Sequence, residues 1–582
     1  NVRTRVHEYG GGAWAAADRT IVFSNFDDNR LYRLTPGSDR AEPITPEGGF
    51  RYGDLKLDLD RRRIICVRED HSFAEAEPVN TLVQLALDGP NEGGGAILVS
   101  GTDFVSSPCL NATGDRLAWL SWNHPNMPWD GTELWIASID GAGEISDVQR
   151  IAGGTTESVF QPGWDSHGDL VFISDRTGWW NLYRATPDSA PEALTTQEVE
   201  YGVPQWVFGM STWAPLADGS IVCAWTSDGV WSLGRLEAGA SAPAAYDLPF
   251  TSIGNVRVHP SGRGVVFSAG SPTEPSRIVH LDADTGDWTT LAASAETGID
   301  ERFLSIAEPV SWPTEDGQTA HGFFYAPKNP EAQAANGELP PLIVESHGGP
   351  TSATSAGYDL GVQFWTSRGF AVLDVNYGGS TGYGRAYRER LNGQWGVVDV
   401  DDCVSGAMVL AEGDRVDPER LAVRGGSAGG YTTLAALAFR SAFRAGASYY
   451  GIGDLEAMAR DTHKFESRYL DTLVGPYPEA RDLYIERSPI HHVDRLGSAM
   501  ILFQGMDDKV VPPNQAFTMA DAVRAKGLPV ALLTFDGEGH GFRKAETIQR
   551  TVEAELSFYG QVFGFTPAGE IEPILVDNLS SQ

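Results

Sequence analysis

The sequence predicts a β-propeller followed by a doubly wound, mostly parallel α/β domain, and three observations carry that prediction. A short apolar strand recurs through the first 305 residues, buried strands alternate with helices after residue 306, and thirteen of the sixteen tryptophans fall in the repeating half. At 582 residues the chain is several times a typical domain, so at least two folding units are expected.

The repeating strand reads Ile21-Val22-Phe23, Ile64-Ile65-Cys66, Leu117-Ala118-Trp119, Leu170-Val171-Phe172, Ile221-Val222-Cys223 and Val265-Val266-Phe267, at intervals of 43, 53, 53, 51 and 44 residues. A second alternating strand follows each, as in Leu31-Tyr32-Arg33-Leu34 and Leu82-Val83-Gln84-Leu85, and turn-formers such as Asn111 to Asp115 punctuate the repeat. Several short strands per period is the pattern of a propeller blade. A pair of β-sandwiches would also give regular strands, but the steady period favours the propeller, with tryptophans packed between blades. Six units are counted, and a seven-bladed ring is expected, its first blade incomplete without residues ahead of Asn1. The propeller is assigned to residues 1–305.

Residues 306–567 are assigned to the α/β domain and 568–582 to a tail without pattern. Leu342-Ile343-Val344 and Ala371 to Val375 are short buried runs of the kind found in a parallel sheet covered on both faces. A crossover helix is expected over Gly361–Arg368, another over Asp399–Ala411, and a third over Ala428–Phe439 after the strand Leu421-Ala422-Val423. Strands Met500–Phe503 and Val530–Leu533 complete the alternation.

Composition narrows the function classes. Basic minus acidic residues gives a net charge of −35, which repels phosphate backbones and anionic lipids and argues against nucleic-acid and membrane-surface roles. The four cysteines, Cys66, Cys109, Cys223 and Cys403, stand far apart, so neither a zinc site nor a disulfide scaffold is expected. No ligand cluster or phosphate loop calls for a metal or cofactor. No signal peptide is visible, and a cytoplasmic location is expected.

Gly425-Gly426-Ser427-Ala428-Gly429-Gly430 joins the strand Leu421–Val423 to the helix that starts at Ala428. A Gly-x-Ser-x-Gly string between strand and helix is a nucleophile elbow: the turn is too tight for neighbouring β-carbons, and the helix N-terminus offers free N–H groups where an oxyanion would form. A serine hydroxyl needs a base, itself oriented by a carboxylate. Of the downstream histidines His463, His491, His492 and His540, the last lies in a glycine-flanked loop after the strand Val530–Leu533. His491 and His492 read as structural. Asp507 and Asp508 both follow the strand ending at Phe503, and either could supply the acid.

Five segments together resemble the prolyl oligopeptidase family of serine peptidases, nearest its acylaminoacyl-peptidase and dipeptidyl-aminopeptidase-like branch. They are Ser346-His347-Gly348-Gly349-Pro350, Asn376 to Gly384, Gly425 to Gly430, Gly505-x-x-Asp508-x-x-Val511-Pro512 and Gly539-His540-Gly541. The resemblance implies an α/β-hydrolase domain behind the propeller, with Ser427 as nucleophile, His540 as base and Asp508 as the orienting acid. It also implies an oxyanion hole from the backbone N–H groups of Ala428 and Gly349, because His347 stands where some branches carry a tyrosine. The propeller is then expected to restrict entry to short peptide substrates.

Tyr449 to Tyr477 is rich in aromatic residues and follows the strand after the elbow helix. Tyr450, Phe465 and Tyr469 are candidate walls of an apolar pocket for the acyl-side residue, against the alternative that these rings are ordinary core. Glu466 is a candidate partner for a substrate ammonium, with Arg468 and Lys464 as competing partners. Two rival readings remain from the residues alone: an esterase or amidase of small molecules with the same triad, and a propeller scaffold carrying an inactive hydrolase.

Overall fold

The computed structural model describes residues 1–35, 37–73, 76–186 and 189–579. Six four-stranded antiparallel sheets follow one another from Trp14 to Ala293, each a simple up-and-down meander. The described residues thus form six blades, the number of units counted along the chain, and not the seven expected. Hydrophobic cores lie between neighbouring blades: Val22, Leu31, Ile64 and Val83 between the first and second, Val67, Val105, Leu117 and Trp119 between the second and third.

The recurring apolar strand is the second strand of each blade, not the first. Second strands such as Arg63–Asp70 and Leu170–Ser174 are buried along nearly their whole length, whereas the fourth strands are exposed. Full burial explains why the second strands read so clearly. First strands are masked by bulges: the register of Phe50–Asp58, Phe104–Leu110, Val159–Trp164 and Ser252–Val258 shifts part-way along. Asp54, Ser107, Gln161 and Asn255 occupy positive φ in those strands, which breaks the alternation a sequence pattern depends on. These bulges also tie blades together, since Asp54 accepts the Ser107 N–H at 2.6 Å and Gln161 accepts the Thr212 N–H at 2.7 Å.

The second unit is an eight-stranded mixed sheet. Its strands, in chain order, are β1 (Glu308–Pro313), β2 (Thr319–Tyr325), β3 (Leu342–Ser346), β4 (Ala371–Asn376), β5 (Leu421–Gly426), β6 (Ala445–Tyr449), β7 (Ala499–Gly505) and β8 (Val530–Phe535). They lie in the order β1-β2-β4-β3-β5-β6-β7-β8, antiparallel through β1, β2 and β4 and parallel from β4 onward. Helices Leu360–Thr366, Val398–Glu412 and Ala428–Phe439 fall where the periodicity predicts them. Apolar cores cover both faces of the sheet. Residues 568–579 are not loose: Ile574 and Val576 are buried, and Asp577 bridges to Val530 at the sheet edge. The last three residues of the expected tail lie outside the described residues.

The two units meet across an interface that the tryptophans help to build. Trp129, Trp180 and Trp206 pack here rather than between blades, and Trp206 Nε1 donates to the Thr351 carbonyl at 2.8 Å. Asp175 of the propeller accepts from Arg385 at 2.8 Å and Arg388 at 2.6 Å. Buried Glu200 takes the N–H groups of Trp180 and Gly384, and burial pushes its carboxyl up to about 7. Among the described residues no helix is long and apolar enough to cross a membrane.

Candidate active site

Ser427 sits between the end of β5 and the helix Ala428–Phe439 with φ 57° and ψ −120°, a conformation costing a non-glycine residue on the order of 1–3 kcal/mol. Its neighbours make the turn possible. A Cβ on Gly429 would stand 2.0 Å from the Ser346 carbonyl oxygen, and one on Gly425 would stand 2.5 Å from the Gly429 carbonyl. The Ser427 N–H donates to the Tyr449 carbonyl at 2.9 Å, tying the elbow to β6.

Three side chains distant in sequence come together here. His540 Nε2 lies 2.9 Å from Ser427 Oγ, and His540 Nδ1 lies 2.8 Å from Asp508 Oδ2. Asp508 is buried, and its Oδ1 accepts the N–H groups of Val510 and Val511 at 2.9 Å each. The loop before His540 is held by Glu538, whose carboxylate accepts from the N–H groups of Arg543 and Lys544. The Tyr450 ring packs edge-on against the His540 ring at 4.9 Å. His540 pairs with Asp508 and not with Asp507, whose N–H donates to the Glu538 carbonyl.

The loop His347–Pro350 lies over the elbow, close enough that a Cβ on Gly348 would approach Ser427 Cβ to 3.6 Å. Among the described residues neither the Ala428 nor the Gly349 N–H has a protein acceptor, and both residues line the space next to Ser427. His347 points away from the reacting centre. Its Nε2 meets Ser380 Oγ at 2.7 Å, its ring stacks on Tyr377, and burial holds the imidazole down at about 4, hence neutral.

A cleft of about 420 Å³, counting the solvent space at its mouth, opens beside Ser427. Trp395, Ile452, Met458, Leu470, Leu473 and Val511 give it an apolar wall, while Glu466, Thr462 and Tyr469 line another part. Tyr469 donates or accepts at Thr351 Oγ1, 2.6 Å away. Of the aromatic candidates, only Tyr469 lines this cavity. Tyr450 backs the imidazole instead, and Phe465 is buried among His7, Phe104 and Trp122 at the propeller interface. Both departures follow from the left-handed turn at Tyr450 (φ 40°) and the short helical turn Lys464–Glu466, which local sequence does not announce. The apolar wall drawn from Trp395 and from residues 452–511 was also missed, because its members come from four separate segments.

Glu466 pairs with neither competing cation. Lys464 Nζ donates to the carbonyls of Pro78 and Asp103 at 2.8 Å each, and Arg468 pairs with Asp471 at 2.5 Å. Instead Glu466 Oε1 accepts from the Tyr9 hydroxyl at 2.5 Å, and Oε2 lies 4.0 Å from His463 Nε2. Among the described residues no cluster of three or more His, Cys, Asp or Glu side chains is arranged to hold a metal ion.

A model of the prolyl oligopeptidase family matches residues 356–566. Two solved structures align with 99% of this chain and 90% of their own: a puromycin hydrolase, at 39% identity and a TM-score of 0.94, and a Mycobacterium tuberculosis puromycin-hydrolyzing peptidase, at 42% identity and a TM-score of 0.95. The chain belongs to the prolyl oligopeptidase family. Among curated relatives, dipeptidyl aminopeptidase BIII of Pseudoxanthomonas mexicana is 29% identical over 318 residues, 53% of this chain and 45% of that protein. The acylamino-acid-releasing enzyme of Arabidopsis thaliana is 31% identical over 230 residues, 36% of this chain and 29% of that protein. The chain thus spans less than half the length of these curated relatives. Family membership makes the domain behind the propeller that of a serine-type peptidase.

Proposed function

We propose that the chain is a serine aminopeptidase that removes an apolar or aromatic residue from the free N-terminus of short peptides and related amides. The observation that carries this reading is Glu466, an acidic side chain facing the same cavity as Ser427 without a lysine or arginine partner among the described residues. A substrate whose acyl carbon sits at Ser427 would bring its α-ammonium toward that carboxylate and its side chain toward the Trp395–Leu473 wall. A charge-assisted hydrogen bond of this kind contributes about 1.5–3 kcal/mol. The puromycin named for the two solved relatives has this chemistry: an O-methyltyrosyl amide with a free amino group.

In the proposed cycle His540 Nε2 takes the proton as Ser427 Oγ attacks the carbonyl carbon. Asp508 holds the imidazole with Nδ1–H toward itself, and stabilises the imidazolium that forms. The developing oxyanion is received by the N–H groups of Ala428 and Gly349, which have no other acceptor among the described residues; removal of one such donor typically costs about 10²–10³ in turnover. The imidazolium then protonates the leaving amine, an acyl-enzyme remains, and water attacks it with His540 again as base. The propeller limits which chains reach this centre.

The test compares phenylalanyl-4-nitroanilide, its N-acetylated form and 4-nitrophenyl butyrate. The reading expects the free-amino anilide to be cleaved at least about tenfold better than the acetylated one, as one charged hydrogen bond requires. Equal cleavage of both anilides sinks the aminopeptidase reading, and turnover of the ester alone would favour a small-molecule esterase.

A further inference from the structure

The propeller touches the wall of the cavity beside Ser427 through a bond from Tyr9 to Glu466. Residues 4–12 do not form part of a blade sheet but fold as a compact turn pressed against blades two and three. The Gly10 N–H donates to the Val6 carbonyl at 3.0 Å, the Glu8 N–H to the Arg5 carbonyl at 2.9 Å, and the His7 N–H to Glu69 Oε1 at 2.8 Å. His7 and Glu8 both adopt left-handed φ, 54° and 62°, an unusual pair outside glycine. Gly11 has no room for a side chain, since a Cβ there would come 2.4 Å from the Phe208 carbonyl oxygen. Strain of this kind persists only where the surroundings over-determine it, and it gathers at sites that must present a group accurately.

What this turn presents is Tyr9. Its ring is boxed edge-on by Trp206, His463 and Phe465, at 5.3, 5.6 and 6.0 Å between centroids. Its hydroxyl ends on Glu466 Oε1 at 2.5 Å. Burial and the neighbouring carboxylate push the Tyr9 phenol well above its ordinary range, so it is the donor in this bond. The segment bearing Glu466 is gripped by the propeller at two further points: Lys464 Nζ on the Pro78 and Asp103 carbonyls, and Phe465 between His7 and Phe104.

Resting on the aminopeptidase reading above, we infer that Tyr9 is a positioning residue: it occupies one oxygen of Glu466 and turns the other toward the substrate ammonium. The propeller is then part of the specificity site and not only a barrier to large substrates. Selection for a free N-terminus would depend on the contact of the two domains, while the acyl-transfer machinery of Ser427, His540 and Asp508 would not.

The experiment measures kcat and KM of the full chain and of its Tyr9→Phe, Glu466→Gln and doubly substituted variants on phenylalanyl-4-nitroanilide. Turnover of 4-nitrophenyl butyrate, which carries no ammonium, serves as the control for folding. Loss of one hydrogen bond to a carboxylate predicts that Tyr9→Phe raises KM for the anilide by about 5- to 30-fold with kcat nearly unchanged, and leaves ester turnover within about twofold. Added to Glu466→Gln, it should have no further effect on KM, because the group it positions is gone. If Glu466→Gln raises KM and Tyr9→Phe does not, or if the two effects add in full, the positioning role is refuted while the aminopeptidase reading stands. Parallel loss of ester and anilide turnover in Tyr9→Phe would also refute it, marking Tyr9 as purely structural. An unchanged KM in Glu466→Gln would overturn the reading beneath it.

Discussion

Replacing Asp508 by asparagine probes the candidate triad with almost no change of shape. Asp508 Oδ1 accepts two backbone N–H groups, from Val510 and Val511 at 2.9 Å, and Oδ2 meets His540 Nδ1 at 2.8 Å. An asparagine would keep its one carbonyl oxygen on those two donors, since the flipped amide would set its NH2 against them. The NH2 then faces Nδ1, which must accept, and the ring proton moves to Nε2, aimed at Ser427 Oγ. The base is thereby blocked with the geometry intact. The same inversion of tautomer in a serine peptidase lowers kcat by about 10⁴, which at 1.36 kcal/mol per decade is about 5.4 kcal/mol of transition-state stabilisation. Steady-state kinetics on phenylalanyl-4-nitroanilide should show that loss in kcat, with KM changed by less than about threefold because Asp508 does not line the cavity beside Ser427. Far-ultraviolet circular dichroism and the thermal midpoint establish that the variant is folded. A folded Asp508→Asn enzyme that keeps more than about a tenth of the wild-type kcat refutes the role given to this carboxylate.

Ser427→Ala should abolish both hydrolysis and labelling by a fluorophosphonate probe while the thermal midpoint stays close to wild type; retained labelling would place the nucleophile elsewhere. Gly429→Ala drives a Cβ to within 2.0 Å of a backbone carbonyl, so it should destabilise the hydrolase domain by about 2–3 kcal/mol or prevent its folding, read by denaturant unfolding. Glu200, whose folded carboxyl is raised by burial from 4.5 to about 7, makes the domain interface pH-sensitive. Because the fold favours the protonated form, stability falls as pH rises from about 4.5 through about 7 and is level beyond, by about 3 kcal/mol at 1.36 kcal/mol per unit. Thermal midpoints at pH 5 and pH 8 should differ in the wild type and converge in Glu200→Gln.

How far the sequence discloses this molecule depends on how local each signal is. The elbow is legible because its cause is local: a strand, a turn in which Gly425 and Gly429 leave no space for a Cβ, and a helix, all within twenty residues. The second strands of the blades are legible because each carries a short run of buried apolar residues, such as Ile64-Ile65-Cys66-Val67, and the first strands are not because a bulge interrupts each of four. Choosing between Asp507 and Asp508 was beyond spacing alone. The two differ in what the backbone around them does: Asp508 receives the N–H groups of Val510 and Val511, while Asp507 faces Glu538.

The apolar wall of the cavity was beyond reach for a different reason. Its apolar wall is assembled from Trp395, Ile452, Leu473 and Val511, none of which stands out from ordinary core residues in a chain with 41% hydrophobic content. Tyr9 and Glu466 are separated by 457 residues and belong to different domains, so no period or motif links them. The candidate triad is encoded by short turns on one sheet, whereas the proposed recognition of substrate is spread over the contact between the propeller and the hydrolase domain. That division implies that substitutions at the domain interface should change which substrates are accepted before they change how fast an accepted bond is broken. Arg388, which joins Asp175 across the interface at 2.6 Å and does not itself line the cavity, is the place to look. Arg388→Met leaves buried Asp175 with Arg385 at 2.8 Å as its remaining arginine partner, so the cost should fall below the roughly 3–5 kcal/mol of a wholly unpaired buried charge, and the strain should reach the cavity through the domain contact. The ratio of kcat/KM for the free-amino and acetylated anilides should therefore fall in this variant while ester turnover persists; an unchanged ratio in a folded Arg388→Met protein would show that recognition does not depend on how the two domains are joined.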